Sequence, residues 1–353
     1  MHTNSEITST NITPKIIGYW LFLGALIILG MIVLGGYTRL SHSGLSIVSW
    51  KPITGILPPL TQAEWIEEFD AYKSTPEFIY RNYNFTLAEF KSIYWPEYYH
   101  RLLGRAIAFV FLIPFIYFLS KGYFKSKKLI NHLVVIFFLG LLQGFVGWYM
   151  VKSGLVDMPA VSHIRLTIHL LTALTLYCYL IWVALPIVFP QQFSKNNYNL
   201  KLKKISLVLL LLLLIQLIYG GLVAGLKAGL VFPTFPKMGD EWIPDILQLE
   251  FERSGMSSLF NSPYIVQFVH RWLAIILVIG IFYYTYKTIK LTTNQLIKNC
   301  AIFISSIAAV QFLLGVFTLL NLVPISLGVL HQFFAVILLT GLLFSISLLR
   351  KTS

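Results

Sequence analysis

The chain of 353 residues is 57% hydrophobic and only 12% charged, with a mean hydropathy of +0.74. A soluble domain carries about 25% charged residues, so this composition excludes an ordinary water-soluble protein and indicates an integral membrane protein. The formal net charge of +13 does not indicate nucleic acid binding, because the basic residues are confined to loops between apolar runs.

Eight apolar runs organise the chain, and each has the length, about 20 residues, that a helix needs to cross a bilayer. The first follows a polar N-terminus and lacks an A-x-A-like cleavage site, so we expect a retained helix and not a signal peptide. The sequence therefore predicts an all-α fold with eight transmembrane helices, near residues 16–36, 102–120, 130–151, 166–189, 205–226, 264–286, 299–320 and 326–349.

The loops on one side of these runs are basic and contain no acidic residue. Of the 14 acidic residues, all but Glu6 fall on the opposite side. The positive-inside rule then places both termini in the cytoplasm. The N-terminus is short and has no Arg-rich presequence, so we expect a bacterial inner membrane rather than a mitochondrial one. The basic residues that set this topology are Lys121, Lys125, Lys127, Lys128, Lys195, Lys201, Lys203, Lys204, Lys287, Lys290, Lys298, Arg350 and Lys351.

The second half of the chain repeats the plan of the first. The first and fifth runs both end in Gly-Gly, and the third and seventh share a glutamine four residues before a glycine, at Gln143 and Gln311. Such parallel repeats predict two four-helix bundles related by an axis along the membrane normal. We expect residues 1–192, with a long first outer loop, to form one bundle and residues 193–353 the other.

Four histidines occupy equivalent places near the outer ends of the even-numbered runs: His100, His169, His270 and His331. A lone histidine in a membrane helix is usually a packed, hydrogen-bonded group. Four at equivalent positions of a repeat are harder to explain in that way, so we interpret them as ligands. Neutral imidazoles from two facing helices provide axial ligation for haem iron. Zinc or copper would need a third or fourth protein ligand.

The other four histidines are assigned less direct roles. His2 and His42 are expected to be solvated, and His132 to lie at the cytoplasmic interface. His163 precedes His169 by six residues, about 240° around a helix, so the two cannot face one pocket. His169 matches His331 better in depth and is the preferred ligand.

The two halves differ on the second helix of each bundle, which carries His100 in the first half and His270 in the second. Glu97 lies three residues before His100, whereas Gln267 lies three residues before His270. Only the first bundle therefore has an ionisable group beside its ligand, and it is the candidate reaction site. The second bundle is the candidate electron-transfer site. The simpler interpretation is that Glu97 is an N-terminal acid favoured by the dipole of a helix that begins near Pro96.

Basic residues gather at the outer membrane boundary, where they could pair with haem propionates. Snorkelling toward lipid headgroups explains any one of them equally well. These residues are Arg39, Arg101, Arg105, Arg165, Lys227 and Arg271.

The motifs together resemble the haem A synthase family. The run GGYTRLSHSGLSIVSWKPITGILPP resembles that family's first-loop signature, with Thr38, Arg39, Leu40, Trp50, Pro52 and Pro58–Pro59 in place. PEYYHRLLGR resembles its Glu-x-x-His element, and DMPAVSHIRLTIHL, FVHRW and VLHQFFA resemble its other histidine segments. Some members carry a cysteine pair in the first outer loop. Here Cys178 and Cys300 lie in apolar runs, so the chain resembles the cysteine-free proteobacterial and mitochondrial subgroup.

The resemblance implies an eight-helix fold of two similar bundles and a haem-dependent membrane oxidoreductase. Its reaction would oxidise the C8 methyl of haem O to a formyl group through a hydroxylated intermediate, giving haem A for terminal oxidases. His100 and His169 would flank the substrate haem, Glu97 would be catalytic, and His270 and His331 would ligate a haem b cofactor. The implied partners are haem O synthase, oxidase assembly factors, membrane lipid and an electron donor. The sequence leaves the donor and homo-oligomerisation open.

Two other interpretations use the same residues. A di-haem cytochrome b that only passes electrons, for instance from quinol, needs the four histidines but not Glu97. A transporter fits the parallel repeat loosely, but transporter sites lie near the bilayer midplane at broken helices. Here the polar residues cluster at helix ends.

Overall fold

The computed structural model describes residues 14–49, 55–124, 126–155, 159–194 and 198–350, and these ranges are helical with no β-strand. Trp50, Pro52 and part of the DMPAV segment lie outside the described residues. The α-helices are α1 (Lys15–Leu40), α2 (Gln62–Lys73), α3 (Pro76–Tyr80), α4 (Leu87–Ser120), α5 (Lys127–Lys152), α6 (His163–Val188), α7 (Pro190–Ser194), α8 (Leu200–Gly225), α9 (Ile246–Ser254), α10 (Ser258–Asn261), α11 (Pro263–Leu291), α12 (Gln295–Leu320) and α13 (Ile325–Leu348).

Eight of these helices are long and apolar enough to cross a membrane, which confirms the predicted fold class. They are α1, α4, α5, α6, α8, α11, α12 and α13. Most begin a few residues before the apolar run, because polar capping residues lie just outside it: Ser126 accepts from Lys128 N, and Asn199 from Leu202 N. Such caps satisfy N–H groups that have no partner within the helix.

Helix α4 begins much earlier than its apolar run. Thr86 and Glu89 form a capping box that starts the helix at Leu87, and Pro96 lies inside it. The expected start near Pro96 is therefore wrong, because the capping box adds more than two turns beyond the apolar run. Glu97 consequently lies well past the first turn, where the helix dipole no longer favours an acid.

The long helices pack as two rings of four. In the first half α1 contacts α4 and α6, and α5 contacts α4 and α6; in the second, α8 contacts α11 and α13, and α12 contacts α11 and α13. The rings meet where α1 packs on α13 and α6 packs on α8. These contacts are consistent with the predicted pseudo-symmetric bundles. The division of the chain at residues 192 and 193 stays a prediction.

Polar bonds cross between the halves within the bilayer region. Gln332 on α13 donates to the Ile32 carbonyl of α1 at 2.6 Å, and Gly36 lies directly against its side chain. The hydroxyls of Tyr177 and Thr340 are 2.9 Å apart. Arg39 donates to the Ala224 carbonyl at the end of α8 at 3.0 Å. These bonds satisfy polar groups that lipid cannot solvate.

The first outer loop is ordered by aromatic packing on the extension of α4. The loop contains two short helices, α2 and α3. The buried rings of Trp65 and Phe69 on α2 contact Phe90 and Tyr94 on α4, with centroids between 4.9 and 6.5 Å apart. Aromatic pairs in such geometry add to the stabilisation from burial. The loop therefore forms a rigid cap over the outer end of the first half.

Candidate functional site

Each of the four predicted ligand histidines lies against a glycine of a neighbouring long helix. A Cβ added to Gly35 would lie 3.0 Å from Cε1 of His100, and the corresponding distance is 2.9 Å for Gly147 and His169. In the second half it is 3.4 Å for Gly220 and His270 and 2.9 Å for Gly315 and His331. Any larger residue would displace at least three of the rings, so glycine is required for this close approach.

Within each half the two imidazoles come from opposite helices of the ring. His100 lies on α4 and His169 on α6, and His270 lies on α11 and His331 on α13. Each pair that the sequence predicts therefore lies on two helices of the same ring. Their roles as ligands stay a prediction.

Three of these histidines are each contacted by a glutamine that lies one turn before the corresponding glycine. Nε2 of Gln143 lies 3.2 Å from Nδ1 of His169, and Nε2 of Gln216 lies 3.1 Å from Nδ1 of His270. Nε2 of Gln311 lies 3.4 Å from Nε2 of His331. Sequence reasoning noted Gln143 and Gln311 but missed Gln216. The spacing Gln-x-x-x-Gly, which α8 shares with α5 and α12, would have found it.

Glu97 is buried and ties the first outer loop to α4. One of its carboxylate oxygens accepts from Ser46 Oγ at 2.7 Å and from Ile47 N at 2.9 Å. The other accepts from Nε and NH2 of Arg101, at 3.0 and 2.6 Å. Arg101 in turn donates to the Ile47 carbonyl at 2.7 Å and to that of Ser49 at 3.1 Å. The ion pair itself joins residues four apart on α4, a spacing visible in the sequence. Its contacts with Ser46 and Ile47 depend on a loop about 50 residues away in the chain.

The second half has a similar arrangement without the negative charge, because Gln267 stands where the first half has Glu97. Gln267 donates to the Phe232 carbonyl at 3.2 Å. Arg271, four residues later, donates to the carbonyls of Phe232, Thr234 and Lys237. The arginine therefore anchors an outer loop in both halves. Only the first half places a carboxylate beside it.

The remaining arginines of the predicted outer cluster lie apart. Arg39 donates to the α8 carbonyl described above. Arg165 donates to the Tyr149 carbonyl at 2.9 Å and lies over the Tyr149 ring. Arg105 follows His100 by five residues, with NH1 buried. A guanidinium has five N–H donors, so bonds to carbonyls do not preclude a second anionic partner.

The other histidines of the described chain lie away from these pairs. His163 contacts Oδ1 of Asn261 at 3.0 Å on an exposed surface, away from His169 as the spacing predicts. His132 contacts the Tyr179 hydroxyl at 2.7 Å near the N-terminal end of α5. His42 is exposed. Although the His42 side chain is accessible to solvent, the surrounding loop partly desolvates it, and this effect, reinforced by the cations Lys227, Arg81 and Arg39, lowers the pKa of His42.

Glu77 is a second buried acid in the outer region, on the short helix α3. Burial raises the pKa of Glu77 to about 7, and nearby Glu97 adds to the effect, although a hydrogen bond from Tyr72 opposes it. A folded-state pKa above the unfolded value of 4.5 means that the folded loop binds the proton more tightly. Its stability is therefore greatest at low pH and decreases as pH rises toward 7.

We expect Glu77→Gln to remove this pH dependence. Each unit between the two pKa values corresponds to about 1.4 kcal/mol. The wild-type protein should unfold at a lower temperature at pH 7.5 than at pH 5, and the variant should show a smaller difference. Tryptophan fluorescence of the protein in detergent measures both midpoints. An equal pH dependence in the two proteins would contradict the assignment to Glu77.

The geometry suits a flat, two-sided ligand such as haem. Each half offers two imidazoles from facing helices, and Nδ1 of His100 and of His331 is buried without a hydrogen-bond partner among the described residues. The described chain contains no group of three or more His, Cys, Asp or Glu side chains that could hold a metal ion. A pair of imidazoles suffices for haem iron but not for a structural zinc.

The fold and site define a multi-pass helical membrane protein in which each half carries two histidines on opposite helices of its ring. The chain belongs to the family of cytochrome oxidase assembly proteins (COX15-CtaA), whose model matches residues 18–343.

Its relatives include proteins named "Heme A synthase". One from Flavobacterium johnsoniae is 41% identical over 335 residues, covering 94% of this chain and 97% of that protein. One from Rickettsia bellii is also 41% identical, covering 94% and 98%. "Heme A synthase COX15" of Arabidopsis thaliana is 43% identical over 350 residues, covering 96% and 76%. The resemblance drawn from the sequence motifs is confirmed.

Proposed function

We propose that this protein is a haem-dependent membrane oxidoreductase that converts haem O to haem A. The C8 methyl of haem O would be hydroxylated twice, each time at the expense of an external two-electron oxidant, and loss of water from the resulting geminal diol would leave the formyl group. The names of its relatives support this activity. The observation that carries it is the buried Glu97–Arg101 pair beside His100, where the other half has neutral Gln267.

The substrate site of this proposal lies in the first half, residues 1–192. His100 and His169 flank the iron of haem O from α4 and α6. The cap formed by the first outer loop excludes water above them, since its aromatic side chains pack on the extension of α4. Excluding water strengthens the electrostatic interactions within a site.

Glu97 is the proposed catalytic residue. Both its oxygens accept hydrogen bonds, from Ser46, Ile47 and Arg101, and these hold a fixed negative charge one turn from His100. A fixed carboxylate stabilises positive charge that develops at the methyl carbon, and needs no rearrangement when it does so. Alternatively, Glu97 relays a proton, for which Ser46 is its hydroxyl partner.

The cofactor site of this proposal lies in the second half, residues 193–353, where His270 and His331 hold a haem b. Bound there, haem b supplies electron transfer to the first half. Arg39, Arg101, Arg105, Arg165 and Arg271 are proposed to pair with haem propionates at the outer ends of the helices.

The protein is proposed to lie in a bacterial inner membrane with both termini in the cytoplasm. Haem O synthase would supply the substrate, and oxidase assembly factors would accept the product. The basic loops after α4, α6 and α11 support this orientation.

The deciding experiment is haem extraction from the purified full-length protein, co-expressed with haem O synthase, followed by mass analysis. Haem A or its hydroxylated precursor beside haem b is the expected result. Cells that express haem O synthase without this protein, extracted in parallel, show whether the host supplies haem A from elsewhere.

The second candidate is a di-haem cytochrome b that only transfers electrons. The equivalence of the four histidine–glycine contacts favours it, because both halves could hold the same haem. It predicts two haem b molecules per chain and no formyl product, so the same extraction separates the two functions.

A further inference from the structure

The four histidine–glycine contacts are alike in geometry but not in the residue one turn before the glycine. Three have a glutamine there. Gln143 and Gln216 also donate to the main-chain carbonyls of His169 and His270, at 3.2 and 3.1 Å. Each amide thus contacts both the ring and the backbone of its histidine. Two contacts to one residue fix the orientation of the ring.

The contact of His100 is the exception. Gly35 is preceded at the same spacing by Met31, whose terminal methyl lies 3.7 Å from the position of a Cβ on Gly104, one turn beyond His100. Met31 therefore occupies the place of the glutamine beside α4. A thioether donates no hydrogen bond and is a weak acceptor. Nδ1 of His100 has no hydrogen-bond partner among the described residues, and neither has Nδ1 of His331, because Gln311 contacts Nε2 of that ring instead.

The difference matters for a metal-bound imidazole. When one ring nitrogen binds iron, the other carries a proton, and an acceptor for that proton orients the ring and increases the basicity of the ligand. A glutamine supplies such an acceptor once its amide turns by 180°. Oε1 of Gln216 and of Gln311 is buried without a partner in the described chain, so these acceptors are available to the second pair of histidines. Oε1 of Gln143 already accepts from Thr172 Oγ1 at 2.5 Å, so Gln143 holds His169 through its amide N–H groups. Met31 offers His100 nothing comparable.

We propose that Met31 makes His100 the weakly held ligand of the first haem site, so that haem exchanges there while the second site retains its haem. The inference rests on the proposed function. A substrate must enter and leave in every turnover, whereas a cofactor remains bound. In the first site, His169 is held by Gln143 and remains bound to the haem iron. His100 is held only by packing on Gly35 and is the ligand that dissociates.

Haem release from the full-length protein tests this inference. The protein in detergent is loaded with haem b in both sites and mixed with excess apomyoglobin, and haem transfer is followed by absorbance. Two phases are expected, and a His169→Ala protein should lack the fast one. Outer partners of metal ligands change affinity 10–100-fold, so Met31→Gln should slow the fast phase by about tenfold or more.

Matched variants separate hydrogen bonding from packing. Met31→Leu conserves volume without adding a donor or acceptor and should leave the fast phase unchanged. Gln311→Met reproduces the Met31 arrangement in the second half and should accelerate the slow phase. If Met31→Gln fails to fold, Gln311→Met and Gln143→Met still test the inference. A fast phase unchanged in Met31→Gln, or a slow phase unchanged in Gln311→Met, overturns it.

The outcome is independent of haem A formation, because the probe is haem b and the readout is a release rate. Release rates that follow the Met31 and Gln311 variants in a protein that makes no haem A would reject the proposed function and keep the inference. Haem A formation with a single release phase would keep the proposed function and reject the inference.

Discussion

Glu97→Gln should reduce haem A formation by at least about 100-fold while both sites keep their haem. The substitution removes the one negative charge beside His100 and places an amide N–H₂ against either Arg101 or the donors Ser46 and Ile47. Removing a single preorganised electrostatic group costs about 10²–10³ in rate in well-studied enzymes. Haem extraction and mass analysis give the product, and the pyridine haemochrome spectrum gives the haem content.

The structure also makes Glu97 a structural residue, so the control must preserve the loop contact. Ser46→Ala removes one hydrogen bond to the carboxylate, worth about 1.5–3 kcal/mol, and keeps the charge and the bond from Ile47 N. It should retain most of the activity. Loss of haem b from the second half of Glu97→Gln would show instead that the buried ion pair only supports the fold, since breaking such a pair costs about 3–5 kcal/mol.

His270→Ala should lose one haem per chain and abolish turnover. The ring of His270 fills the space against Gly220 on α8, and Gln216 holds it from the same helix. Without the imidazole the iron keeps only His331, and a haem b with one protein ligand should dissociate during purification. The haem-to-protein ratio of the purified protein, from absorbance and amino-acid analysis, measures the loss.

His163→Ala is the matched control, since His163 lies at the outer end of α6 and contacts Asn261 on an exposed surface. It should keep the wild-type haem content and activity. Equal haem content in His270→Ala and His163→Ala would mean that the second pair of histidines holds no haem. The proposed electron route through the second half would then be wrong.

Some features of the protein follow from the sequence alone. The eight membrane helices and the repeat can be predicted because apolar runs of about 20 residues have few alternatives in a bilayer. The pairing of His100 with His169 and of His270 with His331 follows from the repeat, since equivalent helices occupy equivalent places. The sequence also shows that Gln267 occupies the position in the second half that Glu97 occupies in the first. This difference marks the first half as the candidate reaction site.

Other features required the tertiary structure. The hydrogen bonds from Ser46 and Ile47 to Glu97 come from a loop that no local pattern brings to α4. The start of α4 was misplaced because a capping box in a polar segment outweighed the proline that the apolar run suggested. The contact between each imidazole and its glycine could not be predicted for a similar reason. Helix periodicity predicts which face of a helix a residue occupies, whereas only packing decides which residue of the neighbouring helix it contacts.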